Sequence, residues 1–162
     1  MKKILTVVLS YVTFPAPAQW SSTLNNFDDS LDMPVCAAPA TQTTPIVLTS
    51  YPDGGYFVIW EDNRNLATTG KDVYAQKYDN AGNRLWTADG VPVANSPGDQ
   101  YYNFPSAYNQ DYRSRSFVAT DSAGGFYITF TSEDSLVSNI YYNHAAVQHI
   151  RSNGTAVFAN AG

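Results

Sequence analysis

The stretch Asp53-Gly54-Gly55-Tyr56-Phe57-Val58-Ile59-Trp60 recurs further along the chain as Ala123-Gly124-Gly125-Phe126-Tyr127-Ile128-Thr129-Phe130. In the first copy Tyr56, Val58 and Trp60 fall on one side of an extended chain, and Phe57 and Ile59 on the other. Successive side chains of a strand point to opposite faces, so apolar residues at both parities predict a strand sandwiched between neighbouring layers.

Matching blocks flank this one in the same order. Met33-Pro34-Val35-Cys36-Ala37-Ala38-Pro39, with Gln42 and Pro45, recurs as Val91-Pro92-Val93-Ala94-Asn95-Ser96-Pro97, with Gln100 and Pro105. Glu61-Asp62 is matched with Glu133-Asp134, and Val73-Tyr74-Ala75-Gln76 with Ala145-Ala146-Val147-Gln148. Ala81 to Gly90, including Gly82 and Trp86, is matched with Asn153 to Gly162, including Gly154 and Phe158. The offset grows from 58 (33 to 91) to 72 (81 to 153), so insertions fall between the blocks, as they do in loops. Each unit reads as four short strands: Pro45–Ser50, Tyr56–Glu61, Asp72–Tyr78 and Asn83–Trp86 in the first. Turn chemistry at Tyr51-Pro52-Asp53-Gly54 and Asn80-Ala81-Gly82 separates them. The expectation is an all-β chain of tandem four-stranded antiparallel blades, β-propeller-like, with unit one at 33–90 and unit two at 91–162. Two blades leave a ring incomplete. The chain is therefore expected to continue in a longer protein, or to cover its open sheet faces with further repeat units or a partner chain.

The pattern Gly54-Gly55, Trp60, Asp62 and Arg64, then Asp72-x-Tyr74-x-Gln76, then Gly82-x-x-Leu85-Trp86 and Gly90, resembles the propeller-like repeats of large secreted Bacteroidetes proteins of the type IX secretion kind. The likeness covers roughly 33–162 and is looser in the second unit, where Phe130 and Phe158 replace tryptophans. It implies a surface-exposed or released binding, adhesion or scaffold module. The C-terminal sorting domain of such proteins is absent from these 162 residues.

Composition agrees with an exported β protein. Charged residues are only 14% of the chain against 14% aromatics, a balance that argues against disorder. The net charge of −5 offers no attraction for phosphate backbones, so no nucleic-acid partner is expected. Residues 1–18 read as a cleaved signal peptide: Lys2 and Lys3, an apolar run from Ile4 to Phe14, and Ala16-Pro17-Ala18. That run is too short to span a bilayer, and none is expected later. Residues 19–32 read as a polar connector. Cys36 is the single cysteine, so no internal disulfide can form, and a small half-buried side chain is the plain reading.

The best candidate ligand surface is aromatic. Tyr101, Tyr102, Phe104, Tyr108 and Tyr112 lie in the insertion of unit two, followed by Arg113 and Arg115. Rings on loops stack on sugar faces and arginine adds directional donors, so the expected ligand is a glycan or a protein. The same rings could instead cover a bare blade edge.

Other clusters read as structural. Adjacent acids on a strand point apart, so Glu61-Asp62 cannot form a glycosidase pair by themselves, although cross-unit pairs could. Asp28, Asp29 and Asp32 with Asn25 and Asn26 offer oxygens for calcium, but without the spacing of a calcium loop. His144 and His149 lack a third metal ligand nearby in sequence. Asp29-Ser30-Leu31, Asp121-Ser122-Ala123 and Asp134-Ser135-Leu136 resemble O-glycosylation triplets of Bacteroidetes exported proteins. No catalytic residue, metal or cofactor is expected. A carbohydrate-active propeller enzyme and a structural spacer are the alternatives to a binding module.

Overall fold

The computed structural model describes residues 34–102, 118–137 and 140–158, with the side chains of 134–137 and 140–142 left aside. The protein is all-β over these residues, in two four-stranded antiparallel sheets. No helix among them is long and apolar enough to cross a membrane. The stretches expected to be a signal peptide (1–18) and a polar connector (19–32), with Asp28, Asp29 and Asp32, lie outside the described residues.

The first sheet runs β1 (Gln42–Thr49), β2 (Tyr56–Asp62), β3 (Asp72–Tyr78) and β4 (Val91–Ala94), hydrogen-bonded in chain order. Its centre is β2, whose residues from Phe57 to Asp62 are all buried. Phe57 and Ile59 enter a core shared with the second sheet. Val58 and Trp60 join Tyr74 and Tyr78 on the opposite face, packed against Val35, Cys36 and Tyr56. The expected double covering is present, but on the Trp60 face the described residues supply side chains and a strap, not another sheet.

The fourth strand differs from expectation. Asn83–Trp86 makes only one bridge, between Arg84 and Tyr78. The Leu85 amide then donates to the Lys77 carbonyl, after which the chain leaves the edge of β3. The buried Gln76 side chain fills the vacated stretch: its Nε2 donates to the Thr87 carbonyl at 2.6 Å, and its Oε1 accepts from the Trp86 amide at 3.1 Å. Val91–Ala94 then pairs with β3, Ala75 facing Val91 and Val73 facing Ala94. The first sheet is thus completed by residues from the start of the second sequence repeat.

The second sheet contains β5 (Gln100–Tyr101), β6 (Val118–Thr120), β7 (Phe126–Val137) and β8 (Ile140–Ile150). Its register reproduces the first. Val58 faces Gln76 and Ile128 faces Gln148. Gln42 faces Asp62 and Gln100 faces Ser132. Val47 faces Val58 and Val118 faces Ile128. β5 and β6 are therefore one first strand, opened by the segment 103–117. The register also corrects the match of the acidic pairs: Thr131 and Ser132 occupy the places of Glu61 and Asp62. The two-residue difference falls in the hairpin, which has nine residues between Asp62 and Asp72 and eleven between Ser132 and His144.

The repeated glycine pair has a steric cause. A Cβ on Gly55 would sit 2.0 Å from the Tyr78 carbonyl oxygen, and one on Gly125 would sit 2.2 Å from that of Ile150. Gly54 and Gly124 both take positive φ, +79° and +83°, beside them. Both hairpins thus approach the end of the next strand as only glycine allows.

The sheets pack head to tail. Phe57, Ile59, Val73, Ala75, Val93 and Ala94 meet Phe126, Ile128, Phe130 and Ile150 in one core, with the Phe57 and Phe126 rings 4.9 Å apart. By register Phe126, Ile128 and Phe130 are counterparts of Tyr56, Val58 and Trp60. One face of the first sheet therefore packs against the opposite-type face of the second. Polar links reinforce the contact. Lys77 Nζ reaches the Asp53 carboxylate at 2.6 Å and the Gly124 carbonyl at 2.8 Å. Trp86 Nε1 donates to the Ser152 carbonyl at 3.1 Å.

Candidate binding surface

The residues that flank the segment 103–117 in sequence are anchored in the fold on both sides. Its first foot is Tyr102, which belongs to the core: the ring is 4% exposed, and the hydroxyl donates to the Ile59 carbonyl at 3.2 Å. Burial pushes its phenol up to about 12. This removes Tyr102 from any ligand platform, because both its ring and its polar tip are engaged inside. Its second foot is Val118, half-buried against the same core. Phe104, Tyr108, Tyr112, Arg113 and Arg115 lie outside the described residues.

Tyr101 is half-buried at the edge and has its own setting. Its hydroxyl donates to the Asp99 carboxylate, and Lys71 Nζ lies 4.9 Å from the centre of its ring. Asp99 also accepts from the Lys71 amide at 2.7 Å. Lys71 Nζ pairs with the buried Glu61 at 3.3 Å. The Glu133 amide donates to the Asp99 carbonyl at 2.8 Å, which ties both sheets to this point. Burial, the bond to Asp99, and the charges of Asp99, Glu133 and Glu61 together raise the Tyr101 phenol far above its ordinary value. Three carboxylates and one ammonium beside one ring repel anions. The chemistry suits an uncharged, hydroxyl-bearing ligand or a basic peptide, not a phosphate or sulfate.

Asp62, buried, accepts from Trp60 Nε1 at 2.8 Å, the Arg64 amide at 2.8 Å and Arg64 Nη2 at 2.6 Å. Burial works against its ionised form, but these bonds outweigh it and hold the carboxyl below the usual range. The Arg64 guanidinium carbon also lies 3.8 Å above the Tyr74 ring. Asp72, across the strand pair from Asp62, accepts from Asn65 Nδ2 at 2.8 Å, and burial raises its carboxyl. Cys36 Sγ accepts from Arg64 Nη2 at 3.0 Å, and burial pushes its thiol up. Every acid in this cluster already has an internal task. Ser132, His144, Phe130 and Ala146 stand at the places of Asp62, Asp72, Trp60 and Tyr74, so the cluster is peculiar to the first sheet. Beside it a small apolar cavity of about 180 Å³ lies between Val35, Cys36, Gln42, Thr43, Pro45, Val58 and Trp60.

His149 pairs with Asp121 through Nε2 at 2.7 Å and stacks on Tyr127 at 4.2 Å between ring centres. His144 faces Ser132 on the other side of the sheet. Among the described residues no three His, Cys, Asp or Glu side chains gather as metal ligands do. Sequence reasoning missed the parts played by Asp99, Lys71, Lys77 and Asp53. Each acts across elements distant in the chain, and only Asp53-Gly54 carried a local turn signal. The chain matches no protein-family model, no curated protein and no solved structure.

Proposed function

We propose that the protein is an exported, non-catalytic binding or adhesion module of stacked β-propeller-like blades, whose ligand is a neutral glycan or a protein surface. The observation that carries the reading is the opening of one strand. The second sheet keeps the register of the first strand at Gln100 and Tyr101 and again from Val118, and in sequence the aromatic residues 103–117 stand between the two parts. An insertion anchored at both feet on a rigid sheet is how binding loops are commonly presented. The acidic surroundings of Tyr101 favour uncharged hydroxyls over anions.

The test is binding of the full chain to an array of neutral and sulfated glycans, beside a hydrolysis screen on the same sugars. Neutral sugars are expected to bind, with at least a tenfold loss for Tyr101→Ala and for deletion of 104–116, about 1.4 kcal/mol. Preference for sulfated sugars, or binding untouched by both variants, rejects the surface. Turnover that Glu133→Gln abolishes while Tyr101→Ala spares it would instead make the protein a carbohydrate-active enzyme.

A further inference from the structure

The contact between the two sheets is heterologous: a face and a strand edge of one meet a different face and a donated strand of the next. Such contacts propagate unless something closes them. In the first sheet, the edge of β3 is paired by Val91–Ala94, and Val93 and Ala94 also pack into the inter-sheet core. The counterpart of that edge is Ala145–Val147 of β8, which no strand pairs on its outer side among the described residues. The counterpart of the donated strand is Pro34–Cys36. Val35 and Cys36 pack on Val58, Trp60 and Tyr74 as Val93 and Ala94 pack near Ile128 and Phe130. Arg84 donates to the Pro34 carbonyl and Asp89 accepts from the Ala37 amide at 2.9 Å, so the segment is held on the fold.

Exposed apolar side chains follow the same correspondence. Seven large ones are exposed among the described residues, and four stand where the internal contact covers their counterparts. Tyr127, 43% exposed, matches Phe57 at 0%, and Val147, 47% exposed, matches Ala75 at 0%. Phe158 matches Trp86, and Val47 matches Val118, both partly buried against the core. Tyr127, Val147 and Phe158 belong to the second sheet's end of the molecule, and Val47 to the outer face of the first. The two ends are complementary halves of one contact.

We propose that a second copy of this chain stacks head to tail on the first, donating Pro34–Cys36 as the fourth strand on β8. The inference rests on the blade reading of the sheets and is independent of the ligand proposed above. Carrying over the pairs Val73 with Ala94 and Tyr74 with Pro92, the register sets Ala145 opposite Cys36 and Ala146 opposite Pro34. Tyr127 then meets the half-buried Tyr56 of the incoming copy, as Phe57 meets Phe126. Main-chain pairing supplies the affinity and the apolar rim supplies the fit.

Cys36 makes the test direct. Cα atoms of antiparallel partners lie within disulfide reach. The A145C variant is oxidised with diamide, two thiols giving two protons and two electrons to the reagent for each bond formed. The expected result is a ladder of covalent multimers rising with protein concentration, with Cys36 joined to the introduced thiol in peptide maps. C36S/A145C should lose that link, and light scattering of the unaltered chain should show mass growing with concentration. Only symmetric links, only an intrachain link, or a monomer at every concentration overturns the proposal. V73C/A94C in a C36S background should close within one chain. If that control closes while A145C fails, only self-stacking falls; if the control fails too, the blade reading falls with it.

Discussion

Gln76 stands in for strand pairing that the backbone does not make, and its removal has a calculable cost. Three bonds are lost in Gln76→Ala: Nε2 to the Thr87 carbonyl, and the Lys77 and Trp86 amides to Oε1. The side chain is fully buried, so the freed groups are not all resolvated. At about 0.5–1.5 kcal/mol for each bond, the loss is roughly 2–4 kcal/mol. For a chain of this size that lowers Tm by about 4–16 °C. Gln148→Ala breaks the equivalent bonds to the Phe158 carbonyl and to the His149 and Phe158 amides. Phe158 is exposed, so water replaces part of what is lost, and the cost should fall at the low end of the same range. Urea unfolding measures both. Hydrogen exchange gives the finer reading: the Trp86 amide should lose protection only in Gln76→Ala, and the Phe158 amide only in Gln148→Ala. A loss below about 0.5 kcal/mol for Gln76→Ala, or unchanged exchange at Trp86, refutes the role assigned to this side chain.

Gly55→Ala should prevent folding or cost more than about 4 kcal/mol, because the Tyr78 carbonyl cannot withdraw; Gly82→Ala should cost only the positive-φ strain of about 1–2 kcal/mol, and equal unfolding midpoints would contradict this. Lys77 is nearly buried and Asp53 is 45% exposed, so Asp53→Ala strands an ammonium whereas Lys77→Met removes it, and the first should be the more damaging in denaturant titration. The bond from Lys77, then that from Ser50, lowers the Asp53 carboxyl. Its contribution is therefore present above the ordinary carboxylate pKa and is lost as pH falls through the folded value. Asp72 has the opposite sign: burial raises its carboxyl, so its penalty is absent in acid and grows as pH rises through the folded value. Asp72→Asn should stabilise the protein at neutral pH and flatten the fall in stability that begins as pH rises above the ordinary carboxylate pKa; a destabilised variant with an unchanged slope would count against that reading.

Much of the fold was legible because the signals are local. The glycine pair, the doubly apolar β2, the span Asp72–Tyr78 and the matched Gln76 and Gln148 all follow from residues close in sequence. The fourth strand departs from the expectation for a physical reason. Asn83–Trp86 follows a good turn and looks like a strand, but Gln76 captures the Trp86 amide, while Val91-Pro92-Val93 contains a proline that reads as an interruption. On an edge strand such as β4 a proline is tolerated. The acidic pairs misled because Glu-Asp occurs in both units, and two extra hairpin residues shift the second pair out of register. By sequence Tyr102 stands with the loop aromatics, yet it directly follows β5 and takes the place of Thr44 in the first strand. The polar ties Asp99–Lys71 and Lys77–Gly124 join elements whose proximity no local pattern announces.

The sequence repeat and the structural sheet are out of phase by one strand, and this phase difference explains how the units hold together without a disulfide. The first sheet takes its fourth strand from the repeat that follows. Val93 and Ala94 therefore satisfy the edge of β3 while burying themselves against the next sheet. One short segment stabilises an edge and an interface together, so neither sheet gains its full core alone. The same logic accounts for where polar groups are placed. Lys77, Trp86 and, through the Lys71 amide, Asp99 all bond across the junction, where a wrong stacking would leave a buried donor or carboxylate without its partner. Apolar rings supply most of the driving force, but they tolerate sliding; the buried amides, ammonium and carboxylates do not, because each misplacement costs a desolvated group its hydrogen bond. Register between the sheets is accordingly set by polar pins around an apolar core, and the junction that these pins specify is the unit from which any larger stack must be built.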